Sequence, residues 1–119
     1  MPNDNDKPKI INLTCTRGDT FMKHVGVKTT QEGQIVDYEF QEGDVLKFGV
    51  SKSYKNLPDY ELVKEKSIPT DTCILALSKE ETGTFEYKVY NYDIEFTRAA
   101  DGYRKTLIQG TFTVTEESV

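Results

Sequence analysis

Short runs in which apolar and polar residues alternate, separated by turn-forming residues, are the feature that most restricts the fold of this chain. In the clearest run, residues 45–50, the side chains of Leu46, Phe48 and Val50 fall on one face of an extended segment. Comparable runs recur about every ten residues, with Gly, Asp or Pro between them. This spacing predicts an all-β chain, arranged as an antiparallel sandwich rather than a parallel α/β sheet.

The alternation predicts about seven to eight short strands in one domain, residues 9–119. Residues 1–8 contain two prolines and no apolar periodicity, so they are expected to form a flexible leader. A short strand is expected at residues 35–40, and another is anchored by Leu62 and Val63 and broken at residues 68–71. The other residues expected to face the core are Ile11, Leu13, Cys15, Phe21, Val25, Val27, Cys73, Leu75, Leu77, Ile108, Phe112 and Val114.

Three local features refine this interpretation. The sequence Ser78–Glu81 fits a capping box, which predicts one short helical turn. Within residues 85–97 the apolar positions shift from odd to even numbers, which predicts a β-bulge near Val89-Tyr90. Gly110 interrupts the last strand, where it indicates a bulge or a close approach of another backbone segment.

The charge balance bears on the partners of the chain. Twenty acidic and 15 basic side chains give a net charge of −5, the wrong sign for a surface that binds phosphates. Nucleic acid and anionic membranes are therefore not expected as partners.

No apolar run approaches the roughly 20 residues of a membrane-spanning helix, and the N-terminus lacks the apolar segment of a signal peptide. We expect a soluble protein made in the cytoplasm.

The residues that could support catalysis form no recognisable motif. His24 is the single histidine and has no nucleophile signature near it. The carboxylate pairs Glu80/Glu81 and Asp93/Glu95 could be glycosidase acids, but solvated surface carboxylates are the simpler interpretation in so acidic a chain. One histidine and two cysteines are too few for most metal clusters. The sequence thus predicts no catalytic, cofactor-binding or metal-binding residues.

Cys15 and Cys73 both face inward in this interpretation. In an immunoglobulin-like sandwich two such cysteines could form a bridge between the sheets. The chain has no tryptophan, however, and no secretion signal, so the usual Cys, Trp, Cys arrangement and an oxidising compartment are both missing. Two free, buried thiols are the favoured prediction, and a disulfide is the alternative.

Arg17-Gly18-Asp19 spells the tripeptide that integrins recognise. The simpler interpretation is structural, because Gly18 can adopt the backbone conformation of a turn and Asp19 can hydrogen-bond to nearby backbone. A three-residue match of common residues carries little specificity. We therefore interpret the segment as a turn between two strands.

Three segments, taken in order, carry a resemblance to a known family. They are RGDTF (17–21), EGDVLKF (42–48) and the C-terminal run YNYDIEF (90–96) with DGYRKTLIQGTFTV (101–114). Together they resemble the small immunoglobulin-like modules of tailed-phage and prophage structural proteins, similar to the N-terminal domain of baseplate upper proteins. The resemblance spans roughly residues 10 to 117. Such modules often carry a glycine just before the Tyr-x-Tyr-Asp-Ile strand, where this chain has Lys88-Val89.

The resemblance implies an immunoglobulin-like β-sandwich that serves, without catalysis, as a structural or adaptor piece of a phage tail or baseplate. Its partners would be other tail or baseplate proteins or a second copy of the chain, and the protein would be a virion component. Tyrosine is enriched at interface centres, and the expected bulge would leave tyrosines on both faces of one strand. The candidate interface is Tyr87, Tyr90, Tyr92 and Tyr103; the alternative is that these rings fill the core or form cross-strand pairs.

A second function class is a carbohydrate- or ligand-binding β-sandwich that uses exposed aromatic rings as a platform for sugars. The absence of tryptophan and of a calcium-loop motif in the sequence counts against this alternative. A free-standing enzyme ranks third, because it would depend on His24 alone as its imidazole base.

Overall fold

The computed structural model describes residues 8–53 and 60–116, which form ten β-strands, one short helix and the loops between them. The all-β prediction is thereby confirmed. The predicted leader, residues 1–8, lies outside the described residues apart from Pro8. Within the described residues the elements are β1 (Lys9–Ile10), β2 (Leu13–Thr16), β3 (Phe21–His24), β4 (Lys28–Gln31), β5 (Gln34–Asp37), β6 (Val45–Ser51), β7 (Leu62–Ile68), β8 (Ile74–Leu77), α1 (Lys79–Thr82), β9 (Val89–Thr97) and β10 (Arg104–Thr115).

The strands form one large sheet and two pairs. The large sheet has the order β1-β10-β9-β6-β7, and β2 also pairs with β10; the separate pairs are β3-β8 and β4-β5. Most neighbouring strands pair antiparallel, as predicted, but β1 and β2 both run parallel to β10. These strands come from opposite ends of the chain, so the rest of the domain provides the long connection that parallel neighbours require.

The core lies between the large sheet and the β3-β8 pair. Phe112 of β10 is at its centre, where its ring lies 5.6 Å from that of Phe21 in β3 and 5.8 Å from that of Phe48 in β6. The edge-to-face contact with Phe21 joins the two sheets, whereas the contact with Phe48 lies within the large sheet. Most residues predicted to face inward are buried, while Ile11, Phe21 and Cys73 are half-buried against the core.

The predicted bulge near Val89-Tyr90 is not observed. Strand β9 begins at Val89 and pairs with β10 in continuous register to Asn91 and beyond, and the register shift lies instead between Thr106 and Ile108. Phe85 is fully buried but belongs to the loop after α1. The odd and even apolar positions therefore belong to two different segments, a loop and a strand, and no bulge is needed to accommodate them.

The segment between β3 and β6 also differs from the prediction. Instead of one strand over residues 35–40, the chain forms the hairpin β4-β5, in which Thr29 pairs with Val36. Glu32 and Gly33 occupy its two-residue turn with φ values of 50° and 80°. Positive φ at both positions is what a tight hairpin turn of this length requires, so this turn fixes the hairpin.

The predicted capping box forms at the start of α1. The Ser78 hydroxyl accepts a hydrogen bond from the Glu81 amide at 3.1 Å, and the Ser78 amide donates to the Glu81 carboxylate at 3.0 Å. The same carboxylate contacts the ammonium groups of Lys66 at 2.6 Å and Lys64 at 3.1 Å in β7. The hydrogen bond from Lys66, followed by that from the Ser78 amide, lowers the pKa of Glu81 to about 2. Glu81 thus joins the helical turn to the edge of the large sheet.

Gly110 confirms the predicted close approach of backbone. The chain passes from β1 to β2 at Ile11-Asn12, directly beside Gly110 in β10. A Cβ atom at Gly110 would overlap the Ile11 carbonyl oxygen and would lie 2.9 Å from Oδ1 of Asn12. That Oδ1 accepts a hydrogen bond from the Thr111 amide at 3.1 Å, which replaces a strand contact at the crossing. Only glycine fits at this position without movement of its neighbours.

Candidate interaction surface

The structure divides the four candidate tyrosines into two core residues and two surface residues. Tyr90 and Tyr92 are 2% and 3% exposed, whereas Tyr87 and Tyr103 are 49% and 47% exposed. Because β9 has no bulge, its even-numbered residues all point to the core, and this removes Tyr90 and Tyr92 from the candidate interface. Tyr87 and Tyr103 are left as surface candidates.

Both core tyrosines satisfy their hydroxyl groups with backbone partners. The Tyr92 hydroxyl donates to the carbonyl oxygen of Ile11 at 2.6 Å. The Tyr90 hydroxyl accepts a hydrogen bond from the Glu86 amide at 2.9 Å. Burial raises the pKa of Tyr92 to about 12, because its ionised form would lose solvation.

Tyr87 is held by Arg17 from the turn between β2 and β3. The Arg17 guanidinium lies 5.1 Å from the centre of the Tyr87 ring, and its Nη1 donates to the Tyr87 hydroxyl at 3.3 Å. Nε of the same side chain donates to the Gly83 carbonyl oxygen at 3.1 Å. The ring is therefore exposed but is fixed from one side.

The Arg17-Gly18-Asp19 segment forms the predicted turn, with Gly18 at a φ of 88°. Thr82 of α1 connects to it twice. The Gly18 amide donates to the Thr82 hydroxyl at 3.0 Å, and that hydroxyl donates to the Asp19 carbonyl oxygen at 2.8 Å. The turn is thus bonded to the end of α1, and its arginine points back onto the same domain.

Tyr103 follows the turn between β9 and β10. The Arg98 guanidinium lies 4.9 Å from the centre of its ring and forms two hydrogen bonds with the Asp101 carboxylate, at 2.9 and 2.6 Å. The Tyr103 amide donates to the same carboxylate at 3.1 Å. These contacts, that of Arg98 above all, lower the pKa of Asp101 to about 2. The turn before Tyr103 is therefore held together by hydrogen bonds to the Asp101 carboxylate.

The two exposed tyrosines do not form one surface. Tyr87 lies two residues before Val89, the first residue of β9, and Tyr103 lies beyond the last residue of that strand, Thr97. A strand of this length spans roughly 27 Å at the usual rise per residue. The two exposed residues of the predicted interface therefore lie apart, one near each end of β9.

A groove of about 470 Å³ lies beside Tyr103, between the hairpin β4-β5 and the adjacent ends of β9 and β10. Apolar and basic side chains dominate its lining, and none of the described residues that line it is acidic. Ile35 of the hairpin is 65% exposed on its rim. The lining residues are Val27, Lys28, Thr29, Thr30, Ile35, Tyr38, Phe96, Arg98, Tyr103, Lys105 and Leu107.

The floor of the groove is fixed by Tyr38. Its ring packs edge-on against that of Phe96 at 5.1 Å, and its hydroxyl donates to the Asp44 carboxylate at 2.8 Å. Asp44 also accepts hydrogen bonds from the amides of Gln41 and Ala99, each at 2.8 Å. Burial favours the neutral form of Asp44, but these hydrogen bonds outweigh it and lower the pKa of the carboxyl. Asp44 thus ties the groove to the β9-β10 turn.

Sequence reasoning missed this groove because it missed the hairpin that forms its outer wall. The signal was present: Glu32-Gly33 is a two-residue turn, and residues compatible with strands flank it. Lys28 and Arg98 could not have been assigned to one surface from the sequence, because they lie far apart along the chain.

A second depression lies on the outer face of the large sheet, around Gly49. It has a volume of only about 130 Å³, below the usual range of small-molecule sites. The predicted pair Asp93/Glu95 lines it, and Glu95 forms an ion pair with Arg104 at 2.8 Å. The pair lies in one strand on one face of the sheet.

The other candidate residues of the sequence lie at separate places in the fold. His24 is exposed in β3, and Glu80 is exposed in α1. Cys15 and Cys73 are both free, as predicted, although Cys73 is half-buried rather than buried. Burial raises the pKa of both thiols. In the described part of the chain, no three His, Cys, Asp or Glu residues are grouped so that they could hold a metal ion.

No family model matches this chain, and no curated protein matches it significantly. Within residues 8–53 and 60–116 the structure contains no helix that is long and apolar enough to span a membrane.

Proposed function

We propose that this protein is a non-catalytic, immunoglobulin-like structural or adaptor module of a phage or prophage tail or baseplate, and that it acts by assembly with other proteins. The observation that carries the proposal is the end of the domain at which half-exposed Tyr103 borders a groove lined by apolar and basic side chains. The proposal combines this surface with the family resemblance of the sequence.

The strand order supports the immunoglobulin-like part of the proposal. In such domains the strands named G, F, C and C′ form one sheet, and B and E belong to the facing sheet. Here the large sheet contains β10, β9, β6 and β7 in that order. Strands β3 and β8 pair with each other on the opposite side of the core. The chain order of these strands is the same as in that topology.

Tyr90 supports the same assignment. Immunoglobulin-like domains often carry a tyrosine near the start of strand F whose hydroxyl bonds to backbone a few residues upstream. Tyr90 is the second residue of β9, and its hydroxyl bonds to the amide of Glu86. In disulfide-bonded members the second cysteine stands two residues later, where this chain has Tyr92. A buried tyrosine therefore takes the place of a bridge, consistent with the two free thiols.

The exposed end of the domain supports the assembly part. Tyrosine and arginine are the residue types enriched at the centres of protein interfaces, and Tyr103 and Arg98 lie in contact beside the groove. Their turn is held by the hydrogen bonds of Arg98 and Tyr103 to Asp101. A side chain that is already ordered loses less conformational entropy when a partner binds.

The direct test is quantitative mass spectrometry of particles purified on a density gradient from the encoding bacterium after prophage induction. We expect the chain in the particle fraction in fixed proportion to the tail proteins. Its restriction to the soluble lysate would contradict the proposal. In that case, binding to one member of a polysaccharide panel would favour the carbohydrate-binding alternative.

A further inference from the structure

The groove beside Tyr103 is open on one side and has walls that differ in character. One wall is the hairpin β4-β5, which pairs with no other strand among the described residues and exposes Ile35 on the rim. The other wall is the end of the large sheet, with Phe96 and Leu107. The volume of about 470 Å³ would hold several side chains of a bound segment.

The charged side chains that line the groove are opposite in sign to the net charge of the whole protein. The chain has a net charge of −5, yet the described residues that line the groove include Lys28, Arg98 and Lys105 and no carboxylate. Cationic side chains on the lining favour a partner that carries carboxylates over one that carries basic groups.

Two of these cations have capacity for a further anionic partner. Lys28 forms an ion pair with Asp37, and two nitrogens of Arg98, Nε and Nη2, bond to Asp101. An ammonium group has three donors and a guanidinium group has five, so each side chain can serve a second carboxylate while it keeps the first. The existing ion pairs orient the cations before a partner arrives.

We propose that this groove binds a segment of a partner protein that combines apolar side chains with carboxylates. The apolar groups would fill the space between Ile35, Phe96 and Leu107, and the carboxylates would contact Lys28 and Arg98 at the rim. The inference rests on the proposed function only in taking the partner to be a protein, and it names the chemistry by which that partner is recognised.

The test is an NMR titration of the ¹⁵N-labelled full chain with a synthetic peptide of alternating valine and aspartate. The matched control peptide has lysine in place of aspartate. We expect saturable shifts in the amide signals of residues 27–30 and 103–107 with the acidic peptide only. Equal responses to both peptides, shifts confined to other regions, or no saturable shift would overturn the proposal.

Variants separate a specific site from general electrostatic attraction. Lys28→Gln should raise the Kd of the acidic peptide by about tenfold, the effect of losing one charge-assisted hydrogen bond. Lys79→Gln changes the net charge equally but lies in α1, outside the groove, and should leave the Kd unchanged. Ile35→Ser is a second groove variant, at an exposed position that should not affect folding, and it should also weaken binding. Equal effects of Lys28→Gln and Lys79→Gln would contradict a site in the groove.

Two other occupants would give different results. If residues 1–7 of the chain occupy the groove, the full chain will not respond and a chain that begins at Pro8 will. If a second copy occupies it, the same amide signals will shift on dilution without peptide. Either result would overturn binding of a partner protein, while the particle measurement would still test the proposed function separately.

Discussion

The hydroxyl of Tyr92, in the middle of the large sheet, donates a hydrogen bond to the carbonyl oxygen of Ile11, 2.6 Å away. Tyr92 also pairs with Gly110 of β10, the residue against which the Ile11 carbonyl packs. Two contacts therefore hold the β1-β2 segment on the sheet. One is the hydrogen bond from the buried Tyr92 hydroxyl, and the other is the close packing of the Ile11 carbonyl on Gly110, where a side chain would overlap it.

Tyr92→Phe should lower the free energy of unfolding by about 1–2 kcal/mol, because the Ile11 carbonyl loses its buried donor while the ring remains.

The pH dependence of the free energy of unfolding should also change in this variant. An unfolded tyrosine ionises near pH 10, and the folded-state pKa of Tyr92 is raised to about 12. Stability from this group is thus complete below about pH 10 and is lost as the pH rises towards 12. Urea unfolding of both proteins across this range should show the stability advantage of the wild type shrinking; a constant difference would contradict this role of Tyr92.

Gly110→Ala should lower the free energy of unfolding by about 1–3 kcal/mol, because the added methyl group overlaps the Ile11 carbonyl and forces the β1-β2 crossing to move. Gly26→Ala is the matched control, since nothing lies within 4 Å of its Cβ position. Its effect should be within about 0.5 kcal/mol. Equal losses in the two variants, measured by chemical denaturation, would show that the close approach at Gly110 is not a constraint.

The sequence allowed prediction of features that depend on local pattern. Alternation identified the buried faces of β6 and β8, Ser78 and Glu81 identified α1, and Gly110 marked the close approach. Prediction from alternation failed where a loop and a strand together looked like one apolar run. Phe85 reaches the core from a loop, so it was counted in the wrong element and suggested a bulge that does not exist.

The candidate surface was less predictable than the fold. The exposure of a tyrosine depends on the phase of its strand, and the false bulge shifted the expected phase for Tyr90 and Tyr92. The groove requires residues from the hairpin and from β9 and β10 to meet, which is a consequence of tertiary packing. The parallel contacts of β1 and β2 with β10 have the same origin, because no local signal encodes pairing between chain ends.

Glu81→Gln should retain the capping box, because glutamine can still accept from the Ser78 amide, but it should weaken the contacts with Lys64 and Lys66. We expect a loss of about 1 kcal/mol at neutral pH. The pKa of Glu81 is lowered from 4.5 to about 2, so its contribution is complete above pH 4.5 and is lost as the pH falls towards 2. As the pH is lowered from 4.5 to 2, the Tm of the variant should therefore fall less steeply than the Tm of the wild type.

Glu80→Gln is the control for this measurement. Glu80 is the neighbouring residue of α1, is exposed, and undergoes the same change of charge. It should leave the acid dependence close to that of the wild type. If Glu80→Gln and Glu81→Gln flatten the pH profile equally, the bridge from α1 to β7 does not contribute to stability in the way described.

The two thiols should react at different rates. Cys15 is buried in β2, whereas Cys73 is half-buried before β8, and its thiol donates to the Thr70 carbonyl oxygen at 3.5 Å. With a thiol-specific chromogenic reagent and no reductant, the folded protein should first release about one equivalent, from Cys73, and unfolding should release the second. A Cys73→Ser variant assigns the fast phase. Absence of free thiol in the unfolded protein would show that the two cysteines are bridged.

The central claim is that the domain assembles with other proteins through the end that carries Tyr103, and site-specific photo-cross-linking tests it most directly. A photoreactive phenylalanine analogue would replace Tyr103 in one strain of the encoding bacterium and Tyr87 in another, and irradiation would follow prophage induction. The two positions are almost equally exposed but lie at opposite ends of β9, so each controls for the other. We expect covalent products with a particle protein from position 103 and none from position 87. Products from position 87 alone, or from neither position, would contradict the claim.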